Sequence, residues 1–406
     1  MTATLARIGF GRAGNGLACL VSGWSVPEIR HTWAVGRHST LRLEYGPAEG
    51  DLMLELSLNP FVAEVVQPAQ RIGVTVNGQR VGTETLAGAT WIGYRLPRDI
   101  FAQDGKLEVR FDCPDAAAPS SNGAGVDPRQ LAFALREAII RDVPPAAPFA
   151  PRRRAPLPIQ AFDDSEPRRA IVRGVTGLSL ADLALSFESL GTSCEFGLFQ
   201  RRCRIEPLGL LRFAGLPYSE LVSGLQCGFA GLADDNMLTC HVAGSTPEWM
   251  VRTTAHRLRY HTFRSPADVT AEQLLAEQGR ILKFRREKLL ELLATGEKLF
   301  TVRHRLDLTE AQVLPLLSAL RCHGPGALLF VSGRTGLPAG TVEMLAPDLL
   351  RGSMDGIERI ADEAELAARD TWLSDRGTLA WLSVCANAYR LWREGGARSA
   401  ANRSVG

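Results

Sequence analysis

The stretch 143–169, VPPAAPFAPRRRAPLPIQAFDDSEPRR, holds seven prolines and a dense run of charge. Proline has no amide hydrogen to donate and fixes its own φ, so no helix interior or central strand runs through such a segment. A chain of 406 residues interrupted this way is expected to fold as two parts. The reading is 1–142, then a semi-rigid linker over 143–169, then 170–395, with a disordered tail at 396–406. Arg152, Arg153 and Arg154 sit inside the linker and are expected to be solvated.

The first part reads as β. Short runs with apolar residues at every second position, such as STLRLEY (39–45), LMLELSL (52–58), TWIGYRLP (90–97) and KLEVRFDC (106–113), are separated by turn residues. Asn77-Gly78 between two alternating runs predicts a tight hairpin. LAFALREAII (131–140) fits a helix or a closing strand equally. The fold expected is an all-β sandwich of jelly-roll type. Gly9-Phe-Gly11-Arg-Ala-Gly14 has the letters of a dinucleotide fingerprint. The Gly23 and Pro27 that follow break the helix such a site requires, so a glycine-rich turn is expected.

The second part alternates helix and strand, which predicts an α/β or α+β domain with helices covering a sheet. LALSFESL reads as a strand and EFGLFQRR as the start of a helix. EWMVRTT and RLRYHTF read as paired strands. Residues 270–296 read as a long amphipathic helix, capped by Thr270 and ended by Gly296.

The bulk numbers exclude more than they assert. Forty-six basic against 44 acidic residues give a net charge of +2, which makes no electrostatic case for nucleic acid. No apolar run reaches membrane-spanning length, and no signal peptide is read at the N-terminus, so a cytoplasmic location with free thiols is expected. The eight cysteines form no C-x-x-C pair, and Cys240, His241, His256 and His261 match no zinc spacing, so no metal is expected.

One cysteine stands in a setting with chemical content. In ESLGTSCEFGLFQRR (188–202) an apolar run gives way to a small-residue turn, then Cys194, then a helical pattern. A helix N-terminus offers partial positive charge and free amides, which favour a thiolate and an oxyanion. Cys194 is the candidate nucleophile, with Ser193 and Glu195 shaping the oxyanion site. His261 on a later strand is the candidate base, and His304, at the end of LFTVRH, the spare. A small buried thiol accounts for the same residues. In the sandwich, Trp24, Trp33 and Trp91 are candidate sugar platforms, with Glu28, Arg37 and His38 as polar partners; sandwich tryptophans also commonly pack in cores.

SLGTSCEFGLFQRR, with EPLGLLRFAG, YHTF and FRREKLLELLATGEKLF further on, resembles a bacterial family of unknown function described as papain-like cysteine peptidases. The resemblance spans about residues 183–335 and implies Cys194 as nucleophile and His261 as base. Ser193 stands where that family usually has asparagine, and FAG (213–215) where many members carry a Phe-Asp-Trp-like motif. The same opening is similar to a capsular-polysaccharide biosynthesis family thought to transfer acyl groups from coenzyme A. The N-terminal part is similar to sandwich domains found beside glycan-processing enzymes. Together these imply hydrolysis or transfer of an acyl group on a cell-surface glycan or glycopeptide precursor. No cofactor is required, unless coenzyme A is the acyl donor. The alternative is a non-catalytic, carbohydrate-binding accessory protein of polysaccharide biosynthesis.

Overall fold

The computed structural model describes residues 3–63, 66–101, 104–121, 123–146, 149–159, 166–234, 237–243, 247–304, 307–333, 335–354 and 375–403. The chain divides into two compact units. One is Met1–Ala147 with Thr309–Ser318; the other is Pro148–Leu308 with Ala319–Gly406.

Among the described residues the N-terminal unit holds ten strands: β1 (Ala3–Gly9), β2 (Leu20–Ser22), β3 (Thr32–Val35), β4 (His38–Glu44), β5 (Asp51–Pro60), β6 (Gln70–Val76), β7 (Gln79–Leu86), β8 (Thr90–Leu96), β9 (Lys106–Asp112) and β10 (Leu131–Val143). One antiparallel sheet runs β1-β10-β5-β8, with β3 also paired to β10; the other runs β2-β4-β9-β6-β7. The period-two pattern explains the arrangement. Leu52, Leu54, Leu56 and Leu58 of β5 share one face and join Leu41, Leu43, Val109 and Phe111 of the opposite sheet in a single core. Asn77 (φ 46°) and Gly78 (φ 86°) both take the left-handed region, as a two-residue hairpin turn between β6 and β7 requires. The ambiguous run at 131–140 is strand. Its long pairing with β5 and β1 offers more buried apolar contact than a lone helix would. The glycine-rich 9–14 stretch follows β1 as a turn, where a Cβ on Gly14 would meet the Gly9 carbonyl oxygen at 2.1 Å.

The C-terminal unit contains β11 (Arg152–Arg154), α1 (Glu166–Thr176), α2 (Leu180–Leu185), β12 (Phe187–Ser189), α3 (Glu195–Arg202), α4 (Tyr218–Gln226), β13 (Leu238–Val242), β14 (Trp249–Thr253), β15 (Arg259–His261), α5 (Ala271–Thr295) and β16 (Leu299–Arg303). After α6 (Glu310–Arg321), whose residues are shared between the two units, come β17 (Ala327–Ser332), β18 (Val342–Ala346), β19 (Leu349–Ser353) and α7 (Asp375–Arg403). A six-stranded sheet runs β11-β18-β19-β17-β16-β12. Its β12, β16, β17 and β19 run parallel, and β18 pairs antiparallel with both β19 and β11. Val172, Leu183, Phe196, Phe199, Trp381 and Leu382 pack on it from the helices. A separate three-stranded antiparallel sheet, β13-β14-β15, carries His261. The unit is therefore α/β. Cys194's helix α3 follows β12 of the six-stranded sheet, and His261's strand β15 lies in the three-stranded one.

Three expectations need correction. Within LALSFESL (183–190), residues 183–185 are the end of helix α2, which Ser179 caps by accepting from the Asp182 amide; only 187–189 are strand. Arg152–Arg154 are not a solvated stretch of linker. They form edge strand β11, with Arg153 on Glu343 at 2.6 Å and Arg154 on Glu394 at 2.6 Å, and both glutamates are held below the usual carboxylate range by their arginine partners despite partial burial. The expected tail at 396–406 is helical as far as Arg403, and 404–406 lie outside the described residues, as do 147–148 and 160–165 of the linker. Among the described residues no helix is long and apolar enough to cross a membrane.

Candidate functional site

The turn before Cys194 is built by backbone constraint. Gly191 takes φ 76°, and a Cβ there would press on the Leu211 and Ala214 carbonyl oxygens at 3.1 Å. Thr192 follows at φ 68° and donates its hydroxyl to the Arg303 carbonyl, which ties the turn to the end of β16. Cys194 is the N-cap of α3, as expected. Its surroundings are not those of an activated thiol. The sulfur is largely enclosed and its thiol points to the Phe213 carbonyl at 3.9 Å. Burial pushes the thiol above its ordinary value and the Glu195 carboxylate adds to the rise.

The two residues expected to shape an oxyanion site have other work. Ser193 Oγ accepts from the Glu195 amide at 3.2 Å, so the first amide of α3 is engaged. Glu195, partly buried, pairs with the buried Arg303 at 2.9 Å. His304 lies just past β16 and packs edge-on against Tyr218, ring centroids 5.6 Å apart.

His261 has the stronger environment. Its Nδ1 lies 2.6 Å from Glu248 Oε1. A carboxylate only accepts, so Nδ1 carries the proton and Nε2 is the basic nitrogen of the neutral ring. The ring stacks on Phe263 at 6.3 Å and 27°. Both rings line a cavity of about 330 Å³, walled by the 206–214 loop, β15 and α5. Arg201, Arg212, Arg264 and Arg285 stand around it against Glu206 and Glu277, a surplus of positive charge. Arg201 and Arg212 both bond Glu206 and both lie over the Phe213 ring, at 5.1 and 4.6 Å. Arg212 is buried and also donates to the Gly197 and Ile205 carbonyls, so it fixes the wall. Arg264 shares Glu277 at 3.4 Å, while Arg285 has no carboxylate partner among the described residues.

Sequence reasoning found His261 but not Glu248 or the arginines. Glu248 sits immediately before β14. Only the antiparallel pairing Met250↔His261 brings it to the imidazole. The arginines come from α3, the following loop, the segment after β15 and α5, and no local motif marks them. Among the described residues, no group of three or more His, Cys, Asp or Glu side chains is placed to hold a metal ion.

In the sandwich, Trp91 is fully buried, against the expectation of a sugar platform there, and Trp24 packs inward. Its Nε1 donates to the Thr40 carbonyl at 2.8 Å and its ring sits edge-on to Phe111 and Phe133 in the core. Trp33 is half-buried, edge-on to His31 and Phe61. Beside it, Glu28 meets His31 at 3.1 Å and Arg129 at 4.0 Å, and Arg37 is exposed.

No family model matches the chain, and no curated protein matches it. Among solved structures it is similar to an acetyl xylan esterase, Est2A, from the rumen bacterium Butyrivibrio proteoclasticus (11% identity, 36% of this chain and 35% of that one, TM-score 0.23). It is likewise similar to the CBM22-1 xylan-binding domain of Paenibacillus barcinonensis Xyn10C (14% identity, 36% and 97%, TM-score 0.22). The C-terminal CBM6 of LamC from Zobellia galactanivorans is a third (9% identity, 34% and 98%, TM-score 0.20). The match thus spans about a third of the esterase's length. The sandwich assignment rests on this chain's own strand pairing.

Proposed function

We propose that the C-terminal unit performs acid–base acyl chemistry, hydrolysis or transfer, on an anionic acylated precursor, with His261 as the base and Glu248 orienting it. The observation that carries this reading is the 2.6 Å His261–Glu248 pair at an arginine-lined cavity of about 330 Å³. Nε2 is the group that would take a proton from an attacking water or acceptor hydroxyl, and Glu248 would stabilise the imidazolium formed. Arg285 and Arg264 would receive the anionic group of a glycan or glycopeptide precursor, or a phosphate of coenzyme A if that is the donor.

A second reading keeps Cys194 as nucleophile. It is supported by Cys194's place at the start of α3 and by its contact with Phe213, whose ring lines the cavity. The test is hydrolysis of p-nitrophenyl acetate, together with binding of inorganic pyrophosphate followed by calorimetry. His261→Ala should lower hydrolysis at least tenfold with Cys194→Ser near wild type, and Arg285→Ala should weaken pyrophosphate binding about tenfold. Loss in Cys194→Ser would move the assignment to the cysteine; no loss in either variant would remove both readings.

For the N-terminal unit, a sugar contact at Trp33 is supported by its partial exposure beside Glu28, His31 and Arg129. In affinity electrophoresis against soluble polysaccharides, Trp33→Ala should run unretarded wherever the parent chain is slowed. Equal mobility of parent and variant in every gel would end the idea.

A further inference from the structure

The buried face of α5 carries Leu274, Gln278, Leu282, Leu289 and Leu293 at helical spacing. Gln278 is the only polar member of this stripe, and it is 6% exposed. Its Oε1 accepts from the Tyr260 hydroxyl of β15 at 2.9 Å. That bond fixes the amide and leaves both N–H groups of Nε2 for another acceptor. Among the described residues Nε2 has no hydrogen-bond partner, and Gln278 and Tyr260 both line the cavity that holds His261. A polar group on a leucine stripe, left without an acceptor in the protein, is costly to keep, and it marks where a ligand's acceptor belongs.

We infer that Gln278 is the specificity-determining donor of this cavity and that, with Arg285, it selects a substrate bearing a carboxylate, on a sugar or on an amino acid, over a neutral sugar or a phosphate. The inference deepens the reading of the cavity as the place of acyl chemistry, and rests on it.

The donor and acceptor balance of the walls carries the choice. Burial pushes the Tyr260 phenol up, so its hydroxyl stays protonated and keeps donating to Gln278; the Arg285 charge opposes part of that rise. Both glutamates of the cavity are engaged, Glu206 by Arg201 and Arg212 and Glu277 by Arg264. Arg285 is the cavity arginine without a carboxylate among the described residues. It follows Gln278 by roughly two turns of α5, and helical side chains lean toward the N-terminus, so its guanidinium reaches back toward Tyr260 and Gln278. The free polar capacity at this end is therefore N–H, one cationic source and one neutral. A carboxylate only accepts, and its two oxygens suit one cation beside one neutral donor. A phosphate dianion calls for a second free cation. A neutral sugar calls for acceptors for its hydroxyl protons, which these groups do not supply.

The test titrates the full chain with D-glucuronate, N-acetylglycine, D-glucose and inorganic phosphate, followed by calorimetry and by the side-chain amide resonances in NMR. The Gln278 resonance is assigned by its loss in Gln278→Glu. At least one of the two carboxylates should bind more tightly than glucose and phosphate and shift that resonance, and the better of them tells whether the acid sits on a sugar or on an amino acid. Gln278→Glu puts a carboxylate of nearly the same size where the donor was, and should weaken carboxylate binding about tenfold or more. Tyr260→Phe should weaken it less, because Nε2 remains but is no longer held. Carboxylate binding that leaves the Gln278 resonance unmoved, or a folded Gln278→Glu that binds like the parent chain, would overturn the inference; if Arg285→Ala still weakens that binding, the cavity reading stands without it. Glucose or phosphate bound as tightly as the better carboxylate would also overturn it. A parent chain that binds none of these probes and no pyrophosphate would remove the cavity reading as well.

Discussion

Arg141→Met is expected to destabilise the N-terminal sandwich by about 3–5 kcal/mol, the loss that follows when one partner of a buried ion pair is removed. Arg141 on β10 and Glu55 on β5 are 4% and 0% exposed, and their side chains meet at 3.1 Å across the register Ile140↔Leu54. Arg141 also donates to Thr4 Oγ1 at 2.7 Å, so one guanidinium joins β10, β5 and β1. Without it the Glu55 carboxyl stays in the sheet without its cation. Burial already raises this carboxyl above its ordinary value, with Arg141 opposing the rise. A raised folded value has a definite sign. The deficit should be smallest below about pH 4, where folded and unfolded carboxyls are both protonated. It should widen as pH rises through the parent's folded value, where the carboxyl ionises beside Arg141 in the parent but stays protonated in the variant. Hydrogen exchange resolves this by element: β5 and β10 should exchange faster while β16 and β17 keep their protection. The double variant Glu55→Leu, Arg141→Met should recover most of the loss, because an apolar pair of similar volume avoids the desolvation. Equal protection in Arg141→Met and the parent chain at pH 7 would show that the pair contributes little.

Trp381→Ala should cost the C-terminal unit about 3–5 kcal/mol through lost transfer energy and the cavity left behind. Trp381 is fully buried on α7, with ring centroids 5.1 Å from Phe196 and 6.4 Å from Phe199, both on α3. The indole is thus what docks the helix beginning at Cys194. Denaturant unfolding followed by exchange in α3 and β12 reads the loss, and Trp381→Phe should retain most of the stability. A further consequence follows for Cys194, whose thiol is raised chiefly by burial. Loosening α3 should speed its alkylation in Trp381→Ala, while in the parent chain it stays slow. Fast alkylation of Cys194 in the parent chain would show that the site is open after all.

Much of the local structure was legible because local chemistry decides it. Asn77-Gly78 closes a hairpin since both residues must take positive φ. Thr270 and Gln273 form the capping box at the start of α5, and Gly296 ends that helix at φ 64°. The period of two in LMLELSL put its leucines on the core face. Cys194 at a helix start was legible for the same reason: a glycine turn followed by a helical pattern leaves few alternatives.

What the sequence could not decide was who meets whom. Glu248 and His261 are brought together by strand pairing. Arg152–Arg154 look like a free basic run until β18 and Glu343 claim them. A thiol's reactivity is set by desolvation and by neighbours distant in sequence, so the motif around Cys194 could announce its position but not its environment. The sequence by itself determined the elements, their caps and the all-β character of the first part. Only the tertiary structure determined which histidine has a carboxylate and where the arginines converge, because those contacts depend on chain closure over long separations rather than on spacing.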